Sequence, residues 1–324
     1  MNAPYKEIIN ETIAQQSFGQ EPAELYEPLR YIMALGGKRL RPTLSLLAYQ
    51  LFADDATQPA VLNPALAVEV FHNFTLMHDD IMDNAPLRRG KPTVHERWNT
   101  NVAILSGDVM LVKAYELLMQ APPDRWPMVL PAFNRCATEV CEGQQWDMNF
   151  EEETGVSEEA YLRMIRQKTA VLLGFSLELG GLLAGADEAT THGLYELGIN
   201  IGIGFQLKDD LLDVYADQEK FGKRAGGDII ANKKTFLLIK ALEKAEGETH
   251  VQLVDWLNRP SFDKEEKVEA VKALYDQLSV RALTETAMNQ YFQQGLQQLE
   301  QLAVEDARKQ PLREFITPLI HREK

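Results

Sequence analysis

The hydrophobic positions of this chain recur at helical spacing and almost nowhere alternate with polar positions as a strand would require. No proline occurs between Pro131 and Pro260, and within this window apolar residues fall three or four apart, as at Tyr161, Met164 and Ile165. Leu, Ala, Gln and Glu are abundant, and all of them favour helix. The pattern therefore predicts an all-α protein built from long helices.

The breaks in this pattern mark loops, and none has the length or composition of a linker between domains. Loops are expected at residues 36–37, 84–86, 122–123, 152–155 and 226–227. The chain is therefore expected to be one helical domain, residues 1–324, and a bundle of this length is expected to enclose a deep central cavity. The very apolar stretch 171–186 is interrupted by Glu178 and is rich in glycine, so it predicts a buried helix rather than a membrane span.

Two acidic clusters share one spacing. The first comprises Asp79, Asp80 and Asp83, and the second comprises Asp209, Asp210 and Asp213. In each, the carboxylates stand at i, i+1 and i+4 after an apolar helical run, so the first and last lie on one face of a helix. Such oxygen ligands suit Mg²⁺. A single cluster could equally be a solvated helix end. The repetition predicts that the two clusters bind metal ions between them, if the two helices face each other.

Basic residues crowd beside a glycine pair and behind each acidic cluster. They are Lys38, Arg39 and Arg41 after Gly36-Gly37, Arg88, Arg89 and Lys91 after the first cluster, and Lys223, Arg224, Lys233 and Lys234 after the second. Metal ions on one side and Arg or Lys on the other suit a polyphosphate ligand. Surface charge balance would also account for Lys233 and Lys234 taken alone, but it is a poorer account of Arg88-Arg89.

The overall charge and the cysteine content narrow the range of partners. The chain has 33 Lys and Arg against 48 Asp and Glu, a formal net charge of −15 at pH 7. This surplus argues against nucleic acid as a partner and against an anionic membrane surface. With only Cys136 and Cys141 and no apolar span, the sequence predicts a reduced, cytoplasmic setting without stable membrane insertion.

The sequence resembles the trans-isoprenyl diphosphate synthases, the polyprenyl synthetase family, both in its motifs and in their order along the chain. The matching motifs are residues 36–42, 78–83 with 87–90, 143–144, 168–169, 205–213, and 222–223 with 228–235. The resemblance implies a helical isoprenoid synthase fold and a homodimer. It also implies Mg²⁺-dependent, head-to-tail transfer of dimethylallyl, geranyl or farnesyl groups from their diphosphates to isopentenyl diphosphate.

The resemblance further implies a role for each matched residue. The metals would be ligated by Asp79, Asp83 and Asp209, with support from Asp80, Asp210 and Asp213. The allylic diphosphate would be held by Arg88, Lys168 and Lys233. Isopentenyl diphosphate would be held by Lys38, Arg41, His72 and Arg89, and Lys223 would also bind substrate. Thr169 and Gln206 would lie beside the reacting carbons and form the catalytic group with Lys168. The released diphosphate, rather than a protein base, would take the proton. An isolated histidine is usually a core residue, but His72 lies two turns before Asp79 on nearly the same face.

Product length depends on which side chain forms the floor of the cavity. Phe74 and Phe71 precede Asp79 by five and eight positions, about 7.5 and 12 Å along a helix. The family pattern favours Phe74, whereas an ideal helix places Phe74 about 140° and Phe71 about 80° from Asp79, so either could be the floor. Thr75 is small and the first cluster lacks a two-residue insertion. Both features differ from the family's fifteen-carbon synthases, so a twenty-carbon product is favoured over a fifteen-carbon one.

Three other functions stay open on the sequence. A class I terpene cyclase shares the helical fold and one aspartate-rich motif, but its second motif usually has an Asn/Ser/Glu pattern, and a single diphosphate substrate would not need residues 36–41. A non-catalytic scaffold subunit of a synthase should have lost aspartates or arginines that this chain keeps. A head-to-head condensing enzyme is the third alternative.

Overall fold

The computed structural model describes residues 3–216 and 226–320, and nearly all of their regular structure is α-helical. The helices are α1 (Ala3–Gln15), α2 (Ala23–Ala34), α3 (Leu40–Gln50), α4 (Pro59–Met82), α5 (Val94–Arg97), α6 (Thr100–Leu118), α7 (Trp126–Glu152), α8 (Glu158–Ile165), α9 (Val171–Ala184), α10 (Glu188–Tyr215), α11 (Gly227–Ile230), α12 (Phe236–Lys244), α13 (Gly247–Asn258), α14 (Lys264–Gln277), α15 (Val280–Gln301) and α16 (Asp306–Ile320). Strands β1 (Leu87–Arg88) and β2 (Lys91–Pro92) form a small antiparallel hairpin, with Leu87 opposite Pro92. The all-α prediction is confirmed.

Each of the five predicted breaks falls at or next to a helix end, and local chemistry explains several of the helix ends. Asn99, Ser157 and Asp263 each precede a helix and accept a hydrogen bond from a backbone N–H of its first turn. Gly36 and Gly37, between α2 and α3, have φ values of 78° and 149°, which a residue with a side chain rarely adopts. Residues 84–86 follow α4 and lead into the hairpin.

The chain divides into two compact units. The first comprises Met1–Ala137, Leu172–Tyr195 and Leu302–Leu312, and the second comprises Thr138–Val171, Glu196–Gln301 and Arg313–Lys324. The single domain over residues 1–324, with its deep central cavity, stays a prediction.

The first unit is built around α4, which packs against α6 and α3. Within this unit α9 lies close to α3, because a Cβ added to Gly180 would stand 2.3 Å from the carbonyl oxygen of Ser45. Residues 172–183 are buried, and Glu178 accepts two hydrogen bonds from Arg135 at 2.8 Å. The predicted buried helix is therefore confirmed. In the part of the chain that is described, no helix combines the length and hydropathy needed to cross a membrane.

In the second unit, small residues of α10 allow close helix packing. A Cβ added to Gly202 would lie 2.6 Å from the Cα of Ala170, and one added to Gly204 would lie 2.9 Å from the ring of Phe292. The contact of Gly202 with Ala170 brings the following turn of α10, with Gln206, beside Thr169. The absence of a side chain at these two positions therefore allows the neighbouring segments to approach α10 closely.

Candidate functional site

The loop between α2 and α3 is held by a buried arginine. Arg39 has a left-handed backbone (φ 52°), and its guanidinium lies 2.6 Å from the carboxylate of Glu69. The same group donates to Asn10 Oδ1 at 3.0 Å and to the carbonyl of Met33 at 2.8 Å. Three helices of the first unit therefore fix the loop backbone. The sequence placed Arg39 among the cations suited to a polyphosphate, but its guanidinium is buried against Glu69, a residue that the sequence did not single out.

Positive charge accumulates beside this loop. The Nε of Arg41 is buried without a hydrogen-bond partner, and burial lowers the pKa of Arg41. Arg89 donates to the carbonyl of Gly36. Burial, and then the charges of Arg41 and Arg89, lower the pKa of His72 well below its ordinary value, so this ring is neutral at pH 7. The structure thus brings Arg41, His72 and Arg89 together as predicted, and Lys38 is exposed on the same loop.

The three carboxylates of the first acidic cluster differ in their surroundings. Asp79 is half-buried near the end of α4, and Asp83 is exposed directly after it. Asp80 is buried and accepts two hydrogen bonds from Arg88, at 2.8 and 2.7 Å. Because both oxygens of Asp80 bind Arg88, this carboxylate fixes the position of the guanidinium. Arg88 itself lies in strand β1 of the hairpin.

Phe71 and Phe74 belong to one aromatic cluster of the first unit but differ in exposure. Phe71 is 0% exposed and stacks against Phe74 and Phe133, with ring centroids 5.5 and 5.1 Å away. Phe74 is 9% exposed and lies 4.8 Å from the ring of His78. Phe133 extends the cluster to Phe175 at 5.6 Å. Phe74 is therefore at the edge of the cluster and Phe71 is inside it.

In the second unit, Lys168 and Thr169 lie in a π-helical turn (Arg166–Ala170) between α8 and α9. Such wide turns are rare and occur often at functional sites. A Cβ added to Gly143 of α7 would lie 2.2 Å from the backbone nitrogen of Lys168. This close approach requires glycine there and gives a structural reason for the Gly143-Gln144 motif.

Asp147 is a site residue that the sequence analysis missed. Its carboxylate lies 2.6 Å from Nζ of Lys168 and 4.0 Å from Nζ of Lys233. Burial would raise the pKa of Asp147, but the charges of Lys233 and Lys168 lower it below its ordinary value. Asp147 follows Gly143 by one helical turn, and that spacing was the available signal.

A partly buried series of hydrogen bonds links Thr169 and Gln206 to the second acidic cluster. Thr169 Oγ1 donates to Gln206 Oε1 at 3.2 Å, and Gln206 Nε2 donates to Asp210 at 3.1 Å. The hydroxyl of Tyr161, also missed from the sequence, donates to Asp210. Burial, with the negative charge of Asp228, raises the pKa of Asp210 to about 7. These hydrogen bonds fix the side-chain amide of Gln206 so that its oxygen, rather than its nitrogen, faces Thr169.

Further carboxylates gather around the second cluster. Asp213 accepts the backbone N–H of Asp228 at 2.9 Å, so it also anchors the start of α11. Burial raises the pKa of Asp228 to about 6. The positive charge of Lys233 opposes this rise, and the negative charges of Asp213, Asp147 and Asp209 add to it. Crowded carboxylates of this kind favour a bound cation. Lys223, a predicted substrate-binding residue, lies outside the described residues.

The donor set tests whether Mg²⁺ fits. In residues 3–216 and 226–320, no group of three or more His, Cys, Asp or Glu side chains is arranged to hold a metal ion on its own. The two clusters offer carboxylate oxygens, the ligand type that Mg²⁺ prefers. Because Mg²⁺ commonly completes its shell with water and substrate phosphates, an incomplete set of protein oxygens fits this ion.

Comparisons with known proteins agree with these features. Residues 22–278 match the family model described as polyprenyl synthetase. A geranylgeranyl pyrophosphate synthase from Geoglobus acetivorans is 39% identical over 295 residues, covering 90% of this chain and 89% of that protein. A geranylfarnesyl diphosphate synthase from Natronomonas pharaonis is 36% identical over 308 residues, covering 86% and 90%. A crystal structure of a geranylgeranyl pyrophosphate synthase matches with a TM-score of 0.94 at 42% identity, covering 100% and 99%.

Proposed function

Because the chain belongs to the polyprenyl synthetase family, and is therefore a prenyltransferase that forms short-chain isoprenyl diphosphates, we propose that its main product has twenty carbons. Its all-α fold is the isoprenoid synthase fold. The proposed substrates are isopentenyl diphosphate and dimethylallyl, geranyl or farnesyl diphosphate. The observation that supports two diphosphate substrates, rather than the single substrate of a cyclase, is that the described residues supply two cationic groups. One comprises Lys38, Arg41 and Arg89 beside the loop between α2 and α3, and the other includes Lys168 and Lys233 beside Asp147. The length of twenty carbons is proposed because Thr75 is small and the first acidic cluster lacks a two-residue insertion.

The cationic group of the first unit is the proposed site for isopentenyl diphosphate. Arg41, Arg89 and Lys38 supply positive charge, and the unpartnered Nε of Arg41 is a buried donor that a phosphate oxygen would satisfy. Burial and the neighbouring arginines lower the pKa of His72, and its ring is proposed to add a hydrogen bond to the diphosphate. The buried Arg39 keeps the loop in place for these contacts.

The allylic diphosphate is proposed to bind Arg88, Lys168 and Lys233. Negative charge develops on this diphosphate when the carbon–oxygen bond breaks, and cations that are already in place stabilise it. Asp80 holds Arg88, and Asp147 holds Lys168, so little reorganisation is needed when the charge appears. The released diphosphate is the proposed acceptor of the proton, and no protein base is invoked.

Asp79, Asp83 and Asp209 are the proposed main ligands of Mg²⁺, with Asp80 and Asp213 in support. Bound Mg²⁺ would neutralise charge on the leaving diphosphate. Two hydrogen bonds support this secondary role, because Asp80 already accepts from Arg88 and Asp213 already accepts from the backbone of Asp228.

Thr169 and Gln206 are proposed to face the allylic cation with their oxygen atoms. The hydrogen bond from Gln206 Nε2 to Asp210 fixes the amide so that its oxygen points to Thr169. Two oxygen dipoles held in this way stabilise positive charge without forming a bond to it.

A direct assay tests the proposed function. Purified protein is incubated with Mg²⁺, labelled isopentenyl diphosphate and a five-, ten- or fifteen-carbon allylic diphosphate, and the products are sized after dephosphorylation. Elongation to twenty carbons is expected, with loss of activity in EDTA and recovery on adding Mg²⁺. No elongation with any primer would overturn the proposal, and a cyclic hydrocarbon from one allylic substrate would indicate a cyclase.

The product-length proposal predicts that Phe74→Ala lengthens the product by at least one five-carbon unit. Phe74 is at the edge of the aromatic cluster, so removing its ring opens space, whereas Phe71 supports it from within. Chromatography of the dephosphorylated products measures the change. Phe292→Ala, a buried aromatic substitution in the second unit, is the control and should leave length unchanged. Unchanged length in Phe74→Ala would exclude Phe74 as the floor.

A homodimer in a reduced, cytoplasmic setting is also part of the proposal. Leu105 and Val112 of α6 and Met119 directly after it are exposed and seven residues apart. They form an apolar stripe, and such stripes mark protein interfaces. Light scattering should give twice the 36.7 kDa mass of one chain. Val112→Glu should shift the mass toward one chain, and a wild-type mass of 36.7 kDa would contradict the dimer.

A further inference from the structure

Lys267 of α14 is 0% exposed, which is unusual for a lysine because burying an ammonium group requires compensating partners. Its Nζ lies 2.6 Å from Oδ1 of Asn232 and 3.5 Å from the carbonyl oxygen of Ile230. It also stands 4.1 Å from the ring centroid of Phe262. Ile230 is the last residue of α11 and Asn232 lies in the short turn that follows it, so the buried charge is directed at the end of α11 and at that turn.

Asn232 connects this turn to two helices. Its backbone is left-handed (φ 54°), a conformation that asparagine tolerates better than most residues. Its side-chain Nδ2 donates to the carbonyl of Leu257 in α13 at 2.9 Å, while Oδ1 accepts from Lys267 of α14. The amide therefore uses both ends, and the turn cannot move without breaking at least one of the two bonds.

The residue after Asn232 is Lys233. Its backbone nitrogen donates to the carbonyl of Asp228 at 2.9 Å, and its Nζ lies 4.0 Å from the Asp147 carboxylate that also receives Lys168. Since the Lys233 side chain is about half exposed, its backbone position decides which space the ammonium group can reach. Asn232, which is held by Lys267, is therefore the residue directly before a proposed ligand of the diphosphate.

We propose that Lys267 and Asn232 are positioning residues that place Lys233 for the allylic diphosphate. The inference rests on the proposed function, in which Lys233 holds that group. A buried ammonium has no water to replace a lost acceptor, so Lys267 holds Asn232 more firmly than an exposed hydrogen bond would. Neither residue touches substrate in this scheme, and both act through Lys233.

Lys267→Met tests the inference because it keeps the length of the side chain and removes its charge. KM for the allylic diphosphate should rise about ten-fold, as expected for loss of a hydrogen bond to a charged group, while KM for isopentenyl diphosphate should change less than about two-fold. Asn232→Gly should likewise raise KM for the allylic diphosphate more than KM for isopentenyl diphosphate. Glycine keeps the left-handed turn but lacks the side-chain amide that binds Lys267. The matched control is Lys264→Met, an exposed lysine at the start of α14, which should leave both values unchanged.

A double-mutant cycle then separates positioning from a general loss of structure. In a Lys233→Met background, Lys267→Met should add less than about a two-fold effect, because the residue through which it acts is gone. An undiminished ten-fold effect there, or an equal rise in both KM values, would overturn the inference. If Lys267→Met fails to fold, Asn232→Gly is taken through the same cycle.

The two proposals fail in distinguishable ways. The same variants are titrated with geranyl thiolodiphosphate and Mg²⁺ by calorimetry, a measurement that needs no turnover. If the wild type does not elongate any primer, the proposed function falls, and the calorimetric cycle still decides the inference: coupling between positions 267 and 233 supports it, and additivity overturns it. If the wild type elongates but the cycle is additive, only the positioning role falls.

Discussion

Lys168→Met should lower kcat/KM for the allylic diphosphate by about 100- to 1000-fold, the usual cost of removing one preorganised group that stabilises developing negative charge. Lys168 is held 2.6 Å from Asp147 in the π-helical turn, so its ammonium group is in position before the substrate arrives. The effect should fall mainly on kcat, because the charge on the leaving diphosphate is greatest in the transition state. Steady-state kinetics with geranyl diphosphate as the varied substrate measures it.

The matched control for this prediction is Arg166→Met, two residues earlier in the same turn. Arg166 forms an ion pair with Glu139 at 2.9 Å and has no role in the proposed reaction. Its replacement should change kcat/KM by less than about three-fold, as for most surface substitutions. Equal losses in both variants would mean that the turn, rather than the Lys168 ammonium, is what matters. Full activity in Lys168→Met would refute the role of Lys168.

Glu69→Gln should lower the free energy of unfolding by about 3–5 kcal/mol, because it leaves the guanidinium of Arg39 buried without its counter-charge. The side chains of Arg39 and Glu69 are 2% and 4% exposed, so water cannot replace the lost carboxylate. The negative charge of Glu69 also favours the charged forms of Arg41 and Arg89. KM for isopentenyl diphosphate should therefore rise together with the loss of stability. Guanidinium-induced unfolding followed by circular dichroism measures the free energy.

An exposed arginine–glutamate pair in the same chain provides the control. Arg313 and Glu300 make hydrogen bonds at 2.9 and 2.8 Å, but their side chains are 26% and 49% exposed. Glu300→Gln should cost less than about 1 kcal/mol, because exposed ion pairs contribute little. A similar loss in both variants would show that burial does not determine the strength of the Arg39–Glu69 pair.

The helical class and several breaks between helices were predictable from the sequence because each depends on local information. Apolar spacing identified the buried stretch that became α9. The spacing of the aspartates also placed them correctly at the ends of helices. Periodicity and turn chemistry act over a few residues, so a single sequence is enough to read them.

The different roles of the carboxylates within each acidic cluster were not predictable, because they depend on side-chain partners outside the helix turn that carries the cluster. Asp80 is engaged by Arg88, eight residues further on in the hairpin, and Asp210 by Tyr161, 49 residues earlier. Asp147 gave only the signal of its spacing from Gly143, since its pairing with Lys168 joins residues 21 apart in sequence. Lys267 gave no signal at all, since a lysine on a polar helix is normally solvated.

The two phenylalanines show a different limit. The ideal helical wheel gave angles of about 140° and 80° from Asp79 and could not choose between Phe74 and Phe71. In the structure, the difference comes from Phe133, which stacks on Phe71 and encloses it. Exposure of a side chain depends on what packs against it, and no periodicity within one helix contains that information.

The π-helical turn at Arg166–Ala170 also constrains how the length of this chain can vary. A π turn accommodates one residue more than the α-helical turn it replaces, so deleting one residue there would restore an unbroken α-helix and leave the residues on either side in phase. The deletion would instead remove the wide turn that carries Lys168 and Thr169, and so change the direction of two side chains that the proposed reaction requires. Insertions and deletions among related sequences should therefore accumulate in surface loops such as residues 153–157 and be absent between α8 and α9. An alignment of related chains would show this segment as gap-free.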